Sequence, residues 1–325
     1  MPLPLLRLSE KLTVHVLRTF EMRELLAISI LSKRANKAVK HLKLKKEVHF
    51  HVGNSIEFEV ISKDPTQKLV LEFYKKTRRR NIVLNIPKKV TVTSHGNKIE
   101  EWKFPSSKMT MRDWHFHIRQ TLHAEIRIYF KFGFTIFNFE SIKKAFKAIE
   151  FDELSIAENI PNNQSRIILE NFLPISNKLE LGRNPFQRKE DIRAIFIQNH
   201  EFLCYGRENF SLNDMLMCNF SFIILSLPTW TYSDMNHFLK LWIKGACRKL
   251  CRLGYFYFPG EWRWNQEEVL KGISFQEVEG DRILKMHDGE VQHLINGGCD
   301  IRAMDGRICT ITNGEPHFVL FYFYN

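Results

Sequence analysis

Apolar positions along this chain change their spacing twice, and each change predicts a different kind of element. Over residues 3–46 the spacing is helical. Leu12, Val16, Leu17 and Phe20 fall on one face after Ser9, which is placed to cap a helix with Glu10 at its positive end. A polar break at Glu21 leads into RELLAISIL. Ser32 then restarts the pattern, and Ala35, Ala38, Val39 and Leu42 line a third helix. From residue 47 the pattern alternates. EVHFHV, SIEFEVI, QKLVLEFY, NIVLNI and KVTVTS each predict a short strand, with breaks at Gly53-Asn54, Asp64-Pro65, Pro87 and Gly96-Asn97. From about residue 128 strands and helices take turns. RIYFKFGFTIFNF, DELSIA, NKLELG, RAIFIQ, FIILS and RLGYFYF predict strands; ESIKKAFKAIE, QSRIILENFL, FSLNDMLMC, YSDMNHFLKLWIKG and NQEEVLKGI predict helices. In the fourth of these helices Met235, Phe238, Leu239, Trp242 and Ile243 share one face, and Gly245 stands where a C-cap belongs. Trp242 is therefore expected to be buried against a sheet.

The strand-plus-helix units recur at intervals of about 25–30 residues, the range of α/β solenoid repeats. The expected fold is mixed α/β in three parts. Residues 1–48 form a three-helix bundle, 49–127 a short-strand-rich connecting region, and 128–325 an α/β domain. That last domain is read as an irregular leucine-rich-repeat-like solenoid, with an open, doubly wound α/β sheet as the alternative.

Composition adds that the chain folds: 44% of its 325 residues are hydrophobic, and its 27 Phe favour packing over a wet surface. Its net charge of +12 is uneven, with +16 on residues 1–150 and −4 on residues 151–325. The outer face of the third helix (Lys33, Arg34, Lys37, Lys40) and the run KKTRRR at residues 75–80 supply much of the positive half. Such runs are read as a solvated face or an import signal, because no RNA-recognition or helix-turn-helix signature accompanies them. No segment reads as secretory or membrane-spanning. The longest uncharged run, Met215 to Ser233, carries Asn219, Ser221, Ser226 and Pro228, and reads as a buried strand plus a loop. Six cysteines without a signal peptide are expected to be reduced, in the cytoplasm or nucleus.

The N-terminal stretch PLLRLSEKLTVHVLRTFEMRELLAISILSKRANKAVKHLKLKK resembles an F-box. LNDMLMCNFSFIILS, DMNHFLKLWIKGACRKLCRL and GGCDIRAMDGRICTIT resemble the F-box-associated domain (type 2) of the large nematode F-box family. One position departs from that pattern: Ser9 stands where the family usually has Pro, and caps the helix start that Pro would preset.

The resemblance implies that the three helices are an F-box that docks on a Skp-type adaptor, and through it on cullin and RING subunits of an SCF ubiquitin ligase. The second domain would hold an unknown protein substrate. The adaptor-binding residues would be Leu5, Leu8, Val16, Leu17, Phe20, Leu25, Ile28 and Leu31, more apolar surface than so small a bundle hides. Trp262 and Trp264, flanking Arg263 in a loop, are the target-binding candidates; Tyr255 and Tyr257, alternating along a strand, are expected to be core. The alternative is a basic nucleic-acid-associated binding protein whose helices are only structural.

Catalytic chemistry is not expected. GxSxG, HExxH, P-loop and kinase signatures are missing from the sequence. His49/His51 and His115/His117 were each spaced to share a strand face, with His123 nearby, and Cys247 and Cys251 lie one helical turn apart. Without a third ligand at a recognised spacing, they read as half-buried strand histidines and inert thiols. No metal and no cofactor are expected.

Overall fold

The computed structural model describes residues 8–61, 68–74, 82–84, 86–87, 89–94, 98–103, 109–131, 137–147, 149–206, 209–259, 263–285, 292–315 and 317–324. The runs KKTRRR and FGFTI lie outside the described residues, as do Leu5 and Trp262. The chain is mixed α/β: N-terminal helices precede a large region rich in β-sheet. It divides into two compact units, Met1–Ile160 and Pro161–Asn325.

The first unit opens with α1 (Glu10–Leu17), α2 (Met22–Leu31) and α3 (Lys33–Lys40). Then come β1 (Glu47–Val52), β2 (Ile56–Ile61), β3 (Leu69–Glu72), β4 (Lys89–Ser94), β5 (Lys98–Lys103), α4 (Met111–Leu122), β6 (Glu125–Phe130), α5 (Phe139–Ala145) and β7 (Glu153–Ile156). Its strands lie in the order β7-β6-β1-β2-β3-β4-β5. The pairs β7–β6 and β6–β1 are parallel, and the others antiparallel. Alternation sorts the side chains. Val48, Phe50, Val52, Phe58, Val60, Ile126 and Ile128 are buried on the face that carries helices, where Trp114 of α4 packs on Phe73 and Phe146 beside α5 packs on Phe50. Glu47, His49, His51, Glu57, Glu59, Arg127 and Tyr129 take the other face, which is polar.

In the second unit α6 (Asn162–Phe172), β8 (Lys178–Leu181), α7 (Lys189–Phe196), β9 (His200–Tyr205), α8 (Leu212–Met217), β10 (Phe220–Ser226), α9 (Tyr232–Ile243) and β11 (Leu253–Tyr257) alternate strictly. The strands β8, β9, β10 and β11 are successive parallel neighbours, so the chain advances across the sheet without reversing. A doubly wound sheet would reverse. After α10 (Gln266–Val269) come β12 (Phe275–Glu277), β13 (Asp281–Lys285), β14 (Gln292–Asn296), β15 (Cys299–Arg302), β16 (Ile308–Glu315) and β17 (Phe318–Tyr324). β17 returns antiparallel beside β11, followed outward by β16, β15 and β12, while β13 and β14 form a separate hairpin. The parallel strands start at Lys178, His200, Phe220 and Leu253, at unequal intervals. The expected regular interval gives way because the crossover helices differ in length: α7 has 8 residues, α8 has 6 and α9 has 12.

Several elements differ from the sequence expectation; RIYFKFGFTIFNF is strand only to Phe130 among the described residues, and its Phe139 begins α5. RAIF of RAIFIQ ends α7, whose Ile192, Ile195 and Phe196 form its buried stripe; the strand of this unit is the next segment, HEFLCY. In NIVLNI, of which Asn81 and Asn85 lie outside the described residues, Ile82 forms an isolated bridge to Phe137. Residues 111–122, expected to belong to the strand region, form α4, opened by a capping box between Thr110 and Asp113.

Candidate functional site

The N-terminal bundle is built around Leu17, Leu25 and Val39, with Phe20, Ile28, Ala38, Leu42 and Leu44 packed against them. Its helices are fixed at their starts. Glu21 and Glu24 form a reciprocal capping box on α2, and the Ser32 hydroxyl accepts the Ala35 N–H at 3.1 Å on α3. Ser9 holds the N-cap backbone conformation of α1, but its side chain makes no capping hydrogen bond.

The bundle rests on α4. The Ser29 hydroxyl and His117 Nε2 are 2.7 Å apart, and Asn36 Nδ2 lies 3.4 Å from the other ring nitrogen. The Thr121 hydroxyl donates to Asn36 Oδ1 at 3.1 Å, and Lys40 Nζ donates to Gln120 Oε1 at 2.5 Å. Burial, seconded by the Lys40 charge, pushes His117 down to about 4. Its ring is neutral at physiological pH, with one N–H and one acceptor nitrogen to offer.

The expected docking residues separate accordingly. Leu17 is fully buried and Leu25 nearly so, both packed in the bundle's own core. Phe20 and Ile28 are half-buried against that core, and Leu8 and Val16 are half-buried too. Leu31 stands out, 78% exposed. Leu12, 55% exposed, was expected on the inner face of α1, which is made instead by Thr13 and Leu17. The i, i+4 spacing of that buried pair was the signal. A groove of about 230 Å3 beside α1 and α3 is lined by Leu8, Thr13, Val14 and Ala38 among Glu10, Arg34, Lys37 and His41.

In the second unit helices close one face of the sheet; on the opposite face the β13–β14 hairpin packs Leu284 and Ile295 on Tyr322 beside Leu253 and Leu320, and the rest carries no helix among the described residues. On the closed face Met235, Phe238, Leu239 and Trp242 of α9 are fully buried, with Phe238 over Phe256 and Phe321 and Trp242 5.4 Å from Phe323. The open face carries Phe202, Phe222, Ile224, Tyr255, Tyr257 and Phe318, all half-buried. Phe202 packs edge-on to Phe222 at 4.9 Å, and Phe318 sits 4.9 Å from both Tyr255 and Tyr257. The two tyrosines, expected in the core, instead form part of this apolar band. Trp264 is half-buried.

Residues 5–47 match the family model described as F-box domain, and residues 191–254 the one described as F-box associated. The chain carries an F-box and an F-box-associated domain. No curated protein and no solved structure matches it. F-box domains generally bind Skp-type adaptors, and this pairing of domains is that of an SCF-type substrate-recognition adaptor family.

The F-box match covers α1 to α3. The F-box-associated match runs from α7 into β11, and its geometry explains its distinctive residues. Asn236 Nδ2 donates to the carbonyls of Val269 and Lys271 at 2.8 and 3.0 Å, satisfying the end of α10. Gly245, at φ +94°, terminates α9 in the left-handed conformation glycine takes freely. Arg193 Nε meets Asp214 Oδ1 at 2.7 Å, joining α7 to α8, and the Trp230 indole donates to the Phe210 carbonyl at 2.6 Å.

The histidine pairs part company. His49 and His51 share the polar face of β1, as expected, and Glu59 of β2 joins them. His115 and His117 lie on α4, where two residues turn about 200°, so they do not share a face. His115 is buried against Phe58 and Phe151, which pushes it down to about 3. Burial raises the thiols of Cys218, Cys247, Cys299 and Cys309. Among the described residues no helix is long and apolar enough to cross a membrane.

Proposed function

We propose that this chain is the substrate-recognition subunit of an SCF-type ubiquitin ligase, with no chemistry of its own. The F-box docks on a Skp-type adaptor and through it on cullin and RING subunits; the F-box-associated region holds the protein to be ubiquitinated. The observation that carries this reading is the paired match, F-box first and F-box-associated domain after it. The exposed Leu31 and Leu12 supply the apolar surface an adaptor would cover.

For the target we propose the open face of β9, β10, β11 and β17. Its half-buried aromatic band offers large side chains of the kind that anchor interfaces. We read the β8–β11 run as a short leucine-rich-repeat-like solenoid segment that ends in an antiparallel edge. Close stacking of successive turns supports this: a Cβ on Gly206, just after β9, would lie 2.8 Å from the carbonyl oxygen of Gly182, just after β8. Trp264 is the target-binding candidate from the sequence that lies among the described residues. The proposal places the protein in the cytoplasm or nucleus, where its thiols stay reduced.

Reconstitution with a Skp-type adaptor tests the docking. A one-to-one complex that survives high salt is expected, and Leu31→Asp should abolish it. Retention on nucleic acid with steep salt dependence, and no adaptor complex, would support the alternative of a basic nucleic-acid-associated protein.

A further inference from the structure

The polar face of the first unit's sheet brings together three groups with no part in either binding surface. His49 and His51 alternate on β1, so both point to that face. Glu59 on β2 stands directly opposite His49 in the antiparallel register. One donor atom from each residue lies within 4.8 Å of those of the other two. Tyr129 of the neighbouring β6 packs on both rings, with centroids 4.8 and 5.2 Å away, and limits how far either can swing.

We propose that His49, His51 and Glu59 form a binding site for a divalent transition-metal ion of the zinc type. Two imidazoles and one carboxylate are a donor set that zinc takes in tetrahedral sites with one position left open. The remaining contacts fit that use. His51 is 7% exposed, and its Nδ1 is buried without a hydrogen-bond partner. Its Nε2 bonds Glu59 Oε2 at 2.8 Å, and Nε2 of His49 bonds Glu47 Oε1 at 2.6 Å. The Glu47 carboxylate on His49 Nε2 leaves the other ring nitrogen for the ion, fixes the ring and raises its basicity; the His51–Glu59 hydrogen bond is given up when both residues ligate. His49 and Glu59 are less deeply buried, which leaves a path from the face.

Three cations lie near the site: Arg127, opposite His49 on β6 and 3.4 Å from Glu47 Oε1, Lys131, whose charge acts on His51, and Lys68, which alone contacts a ligand carboxylate among the described ion pairs. Lys68 Nζ lies 2.5 Å from Glu59 Oε1, and its side chain is 53% exposed. A divalent cation takes over the role of that ammonium and drives it into solvent. Lys68 is thus a competitor, and removing it should tighten binding, whereas in a purely structural ion-pair network its loss would bring no such gain.

The test is titration of the metal-stripped full chain with Zn2+, followed by Co2+ as a spectroscopic probe. One ion per chain is expected, with the visible bands of tetrahedral Co2+ in nitrogen and oxygen donors and no thiolate charge-transfer band. Glu59→Gln and His49→Asn should each weaken binding at least tenfold, and Lys68→Met should strengthen it. Lys68→Met is a surface change, so the test stands even where a histidine variant folds poorly. Absence of uptake, thiolate bands from the cysteines, or equal affinity in wild type, Glu59→Gln and Lys68→Met would each overturn the proposal.

Discussion

Ser29 of α2 and His117 of α4, 88 residues apart in sequence, meet through a hydrogen bond of 2.7 Å. The F-box is therefore built onto the strand region that follows it. A bundle of three helices is near the lower limit for independent stability, and this anchor adds to its own core.

That anchor should make the first unit sensitive to acid. His117 titrates near 4 when folded and near the ordinary 6.5 when unfolded, so between those values the unfolded chain binds the extra proton. Its contribution is fully present above pH 6.5 and is lost as the pH falls towards 4. His115, held near 3, extends the loss further down. Denaturant unfolding from pH 7.5 to 4 should show falling stability, with a shallower slope in His117→Asn. An unchanged slope would remove His117 from the anchor.

Leu17 and Leu31 should separate folding from docking. Leu17 is fully buried in the F-box core, so Leu17→Asp buries an unpaired charge and should unfold the bundle. Leu31→Asp lies at the surface and should change stability by less than about 0.5 kcal/mol while adaptor binding is lost. Circular dichroism beside adaptor pull-down reads both.

Trp242 should act as a core anchor of the second unit. It is fully buried against Phe323, with the Arg307 guanidinium 5.2 Å from its ring centroid. Trp242→Ala should destabilise by about 3–5 kcal/mol, the range for large aromatic truncations. A shift near zero in thermal melting would contradict the packing.

Gly206→Ala tests the stacked turns. The added methyl would meet the Gly182 carbonyl oxygen at 2.8 Å, a backbone atom that cannot rotate away. A loss of about 1–3 kcal/mol is expected, as for other overpacked sites. Full stability would mean that the turns after β8 and β9 are not tightly stacked.

Much of this was legible in the sequence because local signals agreed with the fold. The helix of Met235, Phe238, Leu239 and Trp242 was readable from its spacing and Gly245, and the F-box from its residues and basic third helix. Where reading failed, a local signal was outvoted. α4 was hidden by the strand-like WHFH alternation around His115, although the Thr110-to-Asp113 capping box marked its start. In α7 the β-branched residues of RAIFIQ suggested a strand, while Glu190 and Asp191 in the first turn favoured a helix. Glu59 was missed beside His49 because the pair is made by strand register, and spacing along a chain does not encode register. The open face of the second unit was missed for the same reason: Tyr255 and Tyr257 alternate like core residues, and only the helix layer decides which face is covered.

The central claim is that the F-box docks the adaptor while the F-box-associated region stays free for a target. Hydrogen–deuterium exchange of the full chain with and without a Skp-type adaptor measures it directly. Protection should appear in residues 8–31 and leave β9, β10, β11 and β17 unchanged. Protection of those strands with α1 and α2 unaffected would contradict the account.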